Sequence, residues 1–413
     1  MRRILVPLVL ALLAAGCGRG PESAPTGELV GTDVERAPAS PGGGATLAEG
    51  LTRFAFDYHS LLAERAPDEN LVFSPLSIGI AFGMADAGAR GETAAQIGEV
   101  FHLPASGDEL HTAFNALDQA LADSGESTLR LANRLYPAVD YELVPDFVET
   151  LAASYGAPAE RLDFAGDPEG ARERINAWVS ERTEKRIPEL LGSGAVDSQT
   201  RLVLVNALFL RAKWSQPFGK YPTERQPFTR ADGSRVRVPL MHNAELQTRY
   251  VSAAGYQAVE LPYGDGELSM LVVVPARDFA AFERRFGAEL LAEIDAGARE
   301  GIVDLHLPKW SASSELDLAA TLPELGLTLP FAGGDFTGIS PSNPFLDAGV
   351  HAADIDVDER GTVAAAATAL AFAVSGPPTP DAVIRADRPF LYLIRDAETG
   401  AVLFLGRMVD PAA

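Results

Sequence analysis

Residues 361–378 read Gly-Thr-Val-Ala-Ala-Ala-Ala-Thr-Ala-Leu-Ala-Phe-Ala-Val-Ser-Gly-Pro-Pro and contain no charged side chain, although only Arg360 separates them from the acidic residues Asp354, Asp356, Asp358 and Glu359. The stretch is too short to cross a bilayer as a helix, which takes about 20 apolar residues. Its alanines are compatible with a buried helix. They are equally compatible with a strand, and the order of the side chains favours the strand.

As a strand, this stretch has two unlike faces, because alternate side chains point to opposite sides. After Val363 one face carries only alanine, whereas the other grows from small to bulky through Thr362, Ala364, Ala366, Thr368, Leu370, Phe372 and Val374. Such a strand could enter a gap in a sheet without burying a charge. Gly361 supplies a hinge, and Pro377, Pro378 and Pro380 end the pairing. Each backbone hydrogen bond gained on entry is worth on the order of 1 kcal/mol. A molecule folded with the stretch outside its sheet would therefore store free energy.

The composition of the chain limits its class. The 413 residues are 47% hydrophobic, which is enough to bury a large core, and one domain is favoured because no composition break interrupts the middle of the chain. Asp and Glu outnumber Lys and Arg by 57 to 34, for a net charge of −23, so nucleic acid and anionic lipid are not expected partners. A single cysteine excludes an intrachain disulfide and a cysteine metal cluster.

Residues 1–17 are predicted to be a signal peptide, with Arg2 and Arg3 before an apolar run that ends in Leu-Ala-Ala-Gly-Cys17. Small residues before the only cysteine resemble a bacterial lipoprotein cleavage box, which predicts lipidation of Cys17, export, and contact with a membrane only through that anchor. Ala14 stands where such boxes usually carry Leu, and ordinary signal peptidase cleavage is the alternative. Residues 18–45, rich in Gly and Pro, are predicted to be a flexible linker before a domain at 46–413.

Hydrophobic periodicity predicts helices mainly in the first half of this domain and strands mainly in the second, which is typical of an α+β fold. Helices are predicted over 47–65, 76–87, 92–102, 106–122, 145–154, 171–183 and 316–325. Strands are predicted over 71–73, 129–136, 201–210, 236–240, 256–262, 268–275, 302–308, 390–395 and 401–408.

No motif indicates an enzyme or a cofactor. The six histidines lack the spacing of a zinc-binding helix, no Gly-x-Ser-x-Gly elbow is present, and no phosphate-binding glycine loop follows a strand. We therefore expect no catalytic residues, no metal site and no cofactor.

Many segments, in order from about residue 47 to residue 411, resemble the serpins, the serine protease inhibitor family. These are Asn70-Leu-Val-Phe-Ser-Pro-Leu-Ser-Ile78, Leu131-Ala-Asn-Arg-Leu-Tyr136, Ile175-Asn-Ala-Trp-Val-Ser-Glu-Arg-Thr183, Leu204-Val-Asn-Ala-Leu-Phe-Leu-Arg-Ala-Lys-Trp214, Glu260-Leu-Pro-Tyr263, Leu307-Pro-Lys-Trp310, Glu359-Arg-Gly-Thr-Val-Ala-Ala-Ala-Ala-Thr368, Arg388-Pro-Phe-Leu-Tyr-Leu-Ile-Arg395 and Leu403-Phe-Leu-Gly-Arg407. The resemblance implies three β-sheets, eight or nine helices and an exposed reactive-centre loop over about 361–379. It also implies a monomer whose partner is a target serine protease, held as a covalent acyl complex while the cleaved loop inserts into the central sheet.

Carried over from the family, the loop hinge comprises Glu359, Gly361, Thr362, Ala364, Ala365, Ala366 and Ala367. Val363 stands where the family commonly has Glu, on the outer face. The family's loop length places the scissile bond at Ser375-Gly376, or at Val374-Ser375 after a one-residue slip. These small or aliphatic side chains favour elastase-like or subtilisin-like targets, with Phe372 as a second choice for a chymotrypsin-like one.

Ser74, Ser77, Asn206 and His351 match the family's shutter, where the central strands part, and Trp214 matches its breach residue at the top of the sheet. Taken singly, these could equally be interior residues with only a packing role. Residues 106–122 carry acids where polyanion-activated members carry bases, so no activating polyanion is expected. The alternative to an inhibitor is a non-inhibitory serpin that acts as a binding protein.

Overall fold

The computed structural model describes residues 27–31, 33–40, 42–122, 127–346, 349–362 and 379–413. Within these residues it has nine α-helices, which are α1 (Ala45–Arg65), α2 (Pro75–Asp86), α3 (Gly91–Val100), α4 (Gly107–Ala122), α5 (Pro145–Tyr155), α6 (Pro168–Arg182), α7 (Phe279–Glu283), α8 (Ala288–Gly297) and α9 (Leu318–Thr321). None of the helices in this part of the chain has the length and apolarity needed to span a bilayer.

Strands make up the rest of the regular structure. They are β1 (Leu29–Val30), β2 (Leu71–Phe73), β3 (Thr128–Pro137), β4 (Ala159–Glu160), β5 (Leu202–Lys213), β6 (Glu224–Thr229), β7 (Arg235–Ser252), β8 (Tyr256–Pro262), β9 (Leu268–Pro275), β10 (Arg299–Pro308), β11 (Trp310–Asp317), β12 (Val350–Asp358), β13 (Gly361–Thr362), β14 (Ala382–Arg385), β15 (Phe390–Asp396) and β16 (Val402–Met408).

The strands form three groups. The first is a seven-stranded sheet in the order β1-β4-β3-β5-β13-β12-β11. The long strand β7 joins the other two, because it pairs with β6 and β10 along most of its length and with β8 at its end. β14 extends the group on the β10 side, and β9, β15, β16 and β2 extend the group on the β8 side. This architecture confirms the predicted α+β class with three sheets and eight or nine helices.

The helix that supports the first sheet, α2, is buried along nearly its whole length. It begins at Ser74, whose hydroxyl accepts a hydrogen bond from the backbone N–H of Ser77, and Pro75 occupies the first turn. A helix that is apolar on all sides belongs in a core. Because α2 contacts both β5 and β16, it connects the sheet that contains β13 with the core behind it.

Part of the segment predicted as a flexible linker packs on the domain. Leu29 and Val30 pair with β4 at the edge of the first sheet, and the guanidinium of Arg36 binds Asp118 and Asn115 on α4. The backbone N–H of Ala37 also donates to the carbonyl of Ala153. The prediction of a flexible linker over residues 18–45, which rested on composition alone, was therefore wrong for this part of the segment. Strand pairing, backbone hydrogen bonds and the contacts of Arg36 together hold a segment that lacks apolar periodicity.

The predicted helix at 316–325 is also partly wrong. Trp310–Asp317 is a strand, β11, that pairs with β12, and only Leu318–Thr321 and a following short 3-10 turn are helical. The strand β12 was not predicted, although every second side chain is buried from His351 to Val357, because its outward positions carry the acidic run. The Arg186 guanidinium pairs with Asp354 and Asp356 on the outward face of β12, so their negative charge does not oppose strand pairing.

Candidate functional site

The candidate site begins where the uncharged stretch enters the first sheet. Gly361 and Thr362 form β13, which pairs with Lys213 and Ala212 of β5 on one side and with Asp358 and Val357 of β12 on the other. The resemblance predicted that the loop is exposed from Gly361 onward. The structure differs, because Thr362 is only 2% exposed and both residues are strand residues inside the sheet.

Gly361 is required at this position for a steric reason. Its φ is +152°, and a Cβ at this residue would collide with the carbonyl oxygen of Ala212 and press on the backbone of Lys213. Glycine alone tolerates both the torsion and the approach. The hinge therefore starts at a residue that no side chain could replace without moving β5.

Thr362 is held by an aromatic pair beneath it. Its hydroxyl lies 2.6 Å from the phenol oxygen of Tyr263, and burial raises the pKa of Tyr263 well above its ordinary value, so this phenol stays protonated. The Tyr263 ring stacks on Trp214, with centroids 4.4 Å apart, and the indole Nε1 donates to the carbonyl of Asp358 at 2.9 Å. Trp214 therefore lies at the entry point of the stretch and fastens the end of β12.

Glu359 and the turn after β12 anchor the start of the hinge. The Glu359 carboxylate accepts hydrogen bonds from the Thr223 hydroxyl at 2.8 Å and from the Lys309 ammonium at 3.3 Å. Burial opposes its ionisation, but the backbone N–H of Glu359 itself, together with Thr223 and Lys309, outweighs burial and holds the pKa of Glu359 below its ordinary value. The Arg360 guanidinium pairs with Asp358 at 2.8 Å and, against the effect of burial, likewise lowers the pKa of that carboxyl. The turn is thus ionised and tied down at neutral pH.

The predicted shutter residues lie lower in the same sheet. His351, on β12, is buried, and its Nε2 accepts a hydrogen bond of 3.0 Å from the backbone N–H of Ser74. Burial lowers the pKa of His351 to about 4, which keeps the ring neutral and Nε2 free to accept at pH 7. Ser74 and Ser77 are buried at the start of α2, and Asn206 lies on β5 opposite Asn133 of β3. Two of the four thus lie on the strands that flank β13, and the two serines lie at the start of the helix that packs against this sheet.

A cavity separates the lower ends of those two strands. It measures about 110 Å³ and is lined by Leu202, Leu204 and Val205 of β5, by Val350 and His351 of β12, and by Ser77 of α2. Among the described residues, the ladder that links β5 to β12 runs only through β13. β5 and β12 are thus linked through two residues at the top of the sheet, and open space lies between them at its bottom.

Several predicted residues lie outside the described residues. These are the hinge alanines Ala364, Ala365, Ala366 and Ala367, the reactive-bond candidates Val374, Ser375 and Gly376, and the lipidation candidate Cys17. Conversely, sequence reasoning assigned no role to Tyr263, Thr223 and Lys309. Tyr263 belongs to one of the matching segments, but neither its position nor its spacing could show that it meets Thr362, because they come from different sheets.

The chain is similar to known proteins over most of its length. The family model described as serpin (serine protease inhibitor) matches residues 49–411. A rat protein, leukocyte elastase inhibitor A, is 36% identical over 88% of this chain and 99% of its own length. Among solved structures, uncleaved ovalbumin is similar with a TM-score of 0.78 and 27% identity, covering 89% of this chain and 100% of its own. Thyroxine-binding globulin in complex with thyroxine gives a TM-score of 0.79 at 26% identity, over 89% and 100% of the two chains.

Proposed function

The chain belongs to the serpin family of serine protease inhibitors, and from this premise we propose that it traps its target as a suicide substrate whose cleaved loop becomes a central strand. The observation that carries the proposal is β13, because the first two residues of the loop already lie between β5 and β12. Strand addition of this kind, for which serpin loop insertion is a known instance, gains a backbone hydrogen bond at nearly every position.

The register of β13 predicts where each inserted residue would lie. Continued down both strands, it would set Ala364 opposite Leu210 and Ile355, and Thr368 opposite Asn206 and His351. Because Thr362 faces inward, the even-numbered residues would all face the core. The one polar residue in the middle of that face would therefore meet the polar shutter residues.

The cavity fits the bulky end of the stretch. In the same register, Leu370 would lie opposite Leu204, and Phe372 would reach Leu202 at the start of β5. Both leucines line the cavity. Small residues would thus pass through the tightly packed top of the sheet, and large ones would fill its open bottom, where filling space adds favourable contacts.

Inhibition requires a covalent step. The target's serine would attack the carbonyl of Ser375, the bond to Gly376 would break, and the new amine would leave with a proton. Insertion would then carry the acylated protease away with the loop before water released it. Because each molecule is consumed by one protease, the chain would act as an inhibitor and not as a catalyst.

The target class follows from the residues at the bond. Ser375, or Val374 after a one-residue slip, would suit proteases that accept small or aliphatic side chains, and Phe372 would suit a chymotrypsin-like protease. The name of the rat relative, an inhibitor of leukocyte elastase, supports the elastase-like class.

Export and anchoring form a separate part of the proposal. Residues 1–17 would direct the chain out of the cell, and Cys17 would carry a bacterial-type lipid anchor. The anchored protein would be a monomer. Only the sequence supports this part. Metabolic labelling with a clickable fatty acid would test it, with Cys17→Ser as the control that should take up no label.

A denaturing gel tests the trap. Incubation with pancreatic elastase or subtilisin should give a band of the combined mass that survives SDS, and mass spectrometry of the released peptide should locate the cut at 375–376. A clipped chain without the complex would refute trapping and favour a binding serpin. The likeness to thyroxine-binding globulin makes that the second candidate.

A further inference from the structure

A second group of chemically active side chains lies away from β13, on the pair of strands β7 and β10. His242 of β7 and His306 of β10 are directly opposite each other in the antiparallel register, and Asp304, at an irregularity in β10 two residues before His306, contacts both histidine side chains. The side chains of all three are partly buried, with 25%, 12% and 24% of their surfaces exposed. The expectation of no metal site considered only helical spacing along the chain, which misses residues that neighbouring strands bring together.

The three side chains converge on one point. The Nε2 atoms of His242 and His306 lie 2.8 Å and 3.3 Å from the same oxygen, Oδ1 of Asp304, and one donor atom from each residue falls within 4.8 Å of the others. A tetrahedral ion with metal–ligand bonds of about 2.1 Å holds its ligands about 3.4 Å apart. The two nitrogens and the oxygen therefore need only small movements to surround an ion.

The His306 ring has the freedom to make such a movement. The rings of His242 and His306 stack nearly parallel, with centroids 4.2 Å apart, and Nδ1 of His306 is a buried atom that has no hydrogen-bond partner among the described residues. A ring that is not fixed by a second hydrogen bond can tilt towards an ion. A buried polar atom without a hydrogen-bond partner is energetically costly. Ion binding that reorients the ring would move this nitrogen out of its buried position and remove that cost.

We propose that His242, Asp304 and His306 bind one divalent transition-metal ion of the zinc class. Two imidazole nitrogens and one carboxylate oxygen are a donor set typical of Zn²⁺, with water in the fourth position, whereas Ca²⁺ and Mg²⁺ prefer oxygen ligands. The carboxylate supplies one negative charge against the two charges of the ion. The bound ion would cross-link β7 to β10.

The surroundings are compatible with such an ion. Arg385 of β14, which pairs with His306 in the strand register, is engaged by Gln226 at 2.6 Å and by Asp387 at 3.4 Å. The ring of Tyr221 covers His242 with centroids 4.8 Å apart. Because β14 is the first strand after the uncharged stretch, the ion would brace the strands that receive the far end of the loop.

Metal titration of the full chain tests the proposal. The chain, stripped with a chelator, is titrated with Co²⁺ and followed by visible absorption, and with Zn²⁺ by calorimetry. The proposal expects one ion per chain. Asp304→Asn keeps the size of the side chain, and its amide oxygen can still accept hydrogen bonds from both histidines. Asp304→Asn and His306→Ala should each weaken binding by more than about 100-fold, because losing even a ligand's hydrogen-bond partner costs roughly 10- to 100-fold.

His102 supplies the matched control. Its Nε2 lies 2.7 Å from Asp57 Oδ2, so it forms the same histidine–carboxylate pair without a third ligand. His102→Ala should bind the ion like the unaltered chain. The proposal is overturned if the unaltered chain takes up neither ion, if Asp304→Asn binds as tightly as the unaltered chain, or if His102→Ala abolishes binding. Circular dichroism checks folding, and Asp304→Asn decides the question should His306→Ala unfold. The readout does not depend on protease inhibition, so a failure of the trap would leave this result intact.

Discussion

Replacing Thr362 with Arg should convert the inhibitor into a substrate. Thr362 is 2% exposed, and its hydroxyl is 2.6 Å from that of Tyr263, so the space that holds this side chain has no room for a guanidinium. Burying an unpaired charge costs several kcal/mol after relaxation. The arginine should therefore hold residue 362 outside the sheet in the uncleaved chain, so that insertion has to bury it. If about 3 kcal/mol of that cost falls on the insertion barrier, insertion slows roughly 150-fold.

This delay decides the outcome because insertion competes with hydrolysis of the acyl-enzyme. The assay is the number of inhibitor molecules consumed per elastase molecule inactivated, read beside the complex and clipped bands on an SDS gel. Thr362→Arg should give mostly the clipped band. An unchanged yield of complex would refute the assignment of Thr362 to the path of insertion.

Two further variants separate charge from hydrogen bonding at this residue. Thr362→Ser keeps the hydroxyl and should inhibit like the unaltered chain. Thr362→Val keeps the shape but leaves the Tyr263 hydroxyl unpaired, at a cost of about 1–3 kcal/mol in the conformation that includes β13. It should therefore loosen the hinge, seen as faster amide exchange in β13, without blocking insertion. Loss of trapping by Thr362→Val would show that the hydrogen bond, and not steric and charge exclusion, governs the step.

Three other predictions follow from buried groups and from the loop. The pKa of His351 falls from about 6.5 in the unfolded chain to about 4 on folding, so stability present above pH 6.5 is lost as the pH drops through this window, by up to about 3 kcal/mol. His351→Gln should flatten that part of the pH curve in urea unfolding, and parallel curves would contradict it. Arg407→Met should destabilise the chain by about 3–5 kcal/mol, because Arg407 Nη1 binds both oxygens of the buried Glu283 at 2.9 Å and 3.0 Å, and urea midpoints unaffected by the change would disprove this reasoning. Nicking of the loop should raise the melting temperature sharply in calorimetry, and an unchanged value would count against insertion.

The local sequence pattern was sufficient to predict those elements whose defining residues lie close together in the chain. Helix α1 was readable because its apolar residues recur at helical spacing over Ala45–Arg65, and β15 and β16 because apolar runs flank a clear turn. The uncharged stretch, with its glycine hinge and alternating faces, indicated a strand able to enter a sheet. The acidic composition alone argued against nucleic-acid binding. Each inference used residues close together in the chain, where torsion preferences and side-chain periodicity operate.

Only the tertiary structure decided which distant residues meet. It placed Thr362 inside the sheet against Tyr263, ordered part of the presumed linker through Arg36, and extended β11 through Leu316 and Asp317, two residues that local periodicity assigned to a helix. It also brought His242 beside His306 by pairing two strands. These features depend on the register between strands and on which faces share a core. Both are set by the free energy of packing the whole chain, so no local window of sequence contains them.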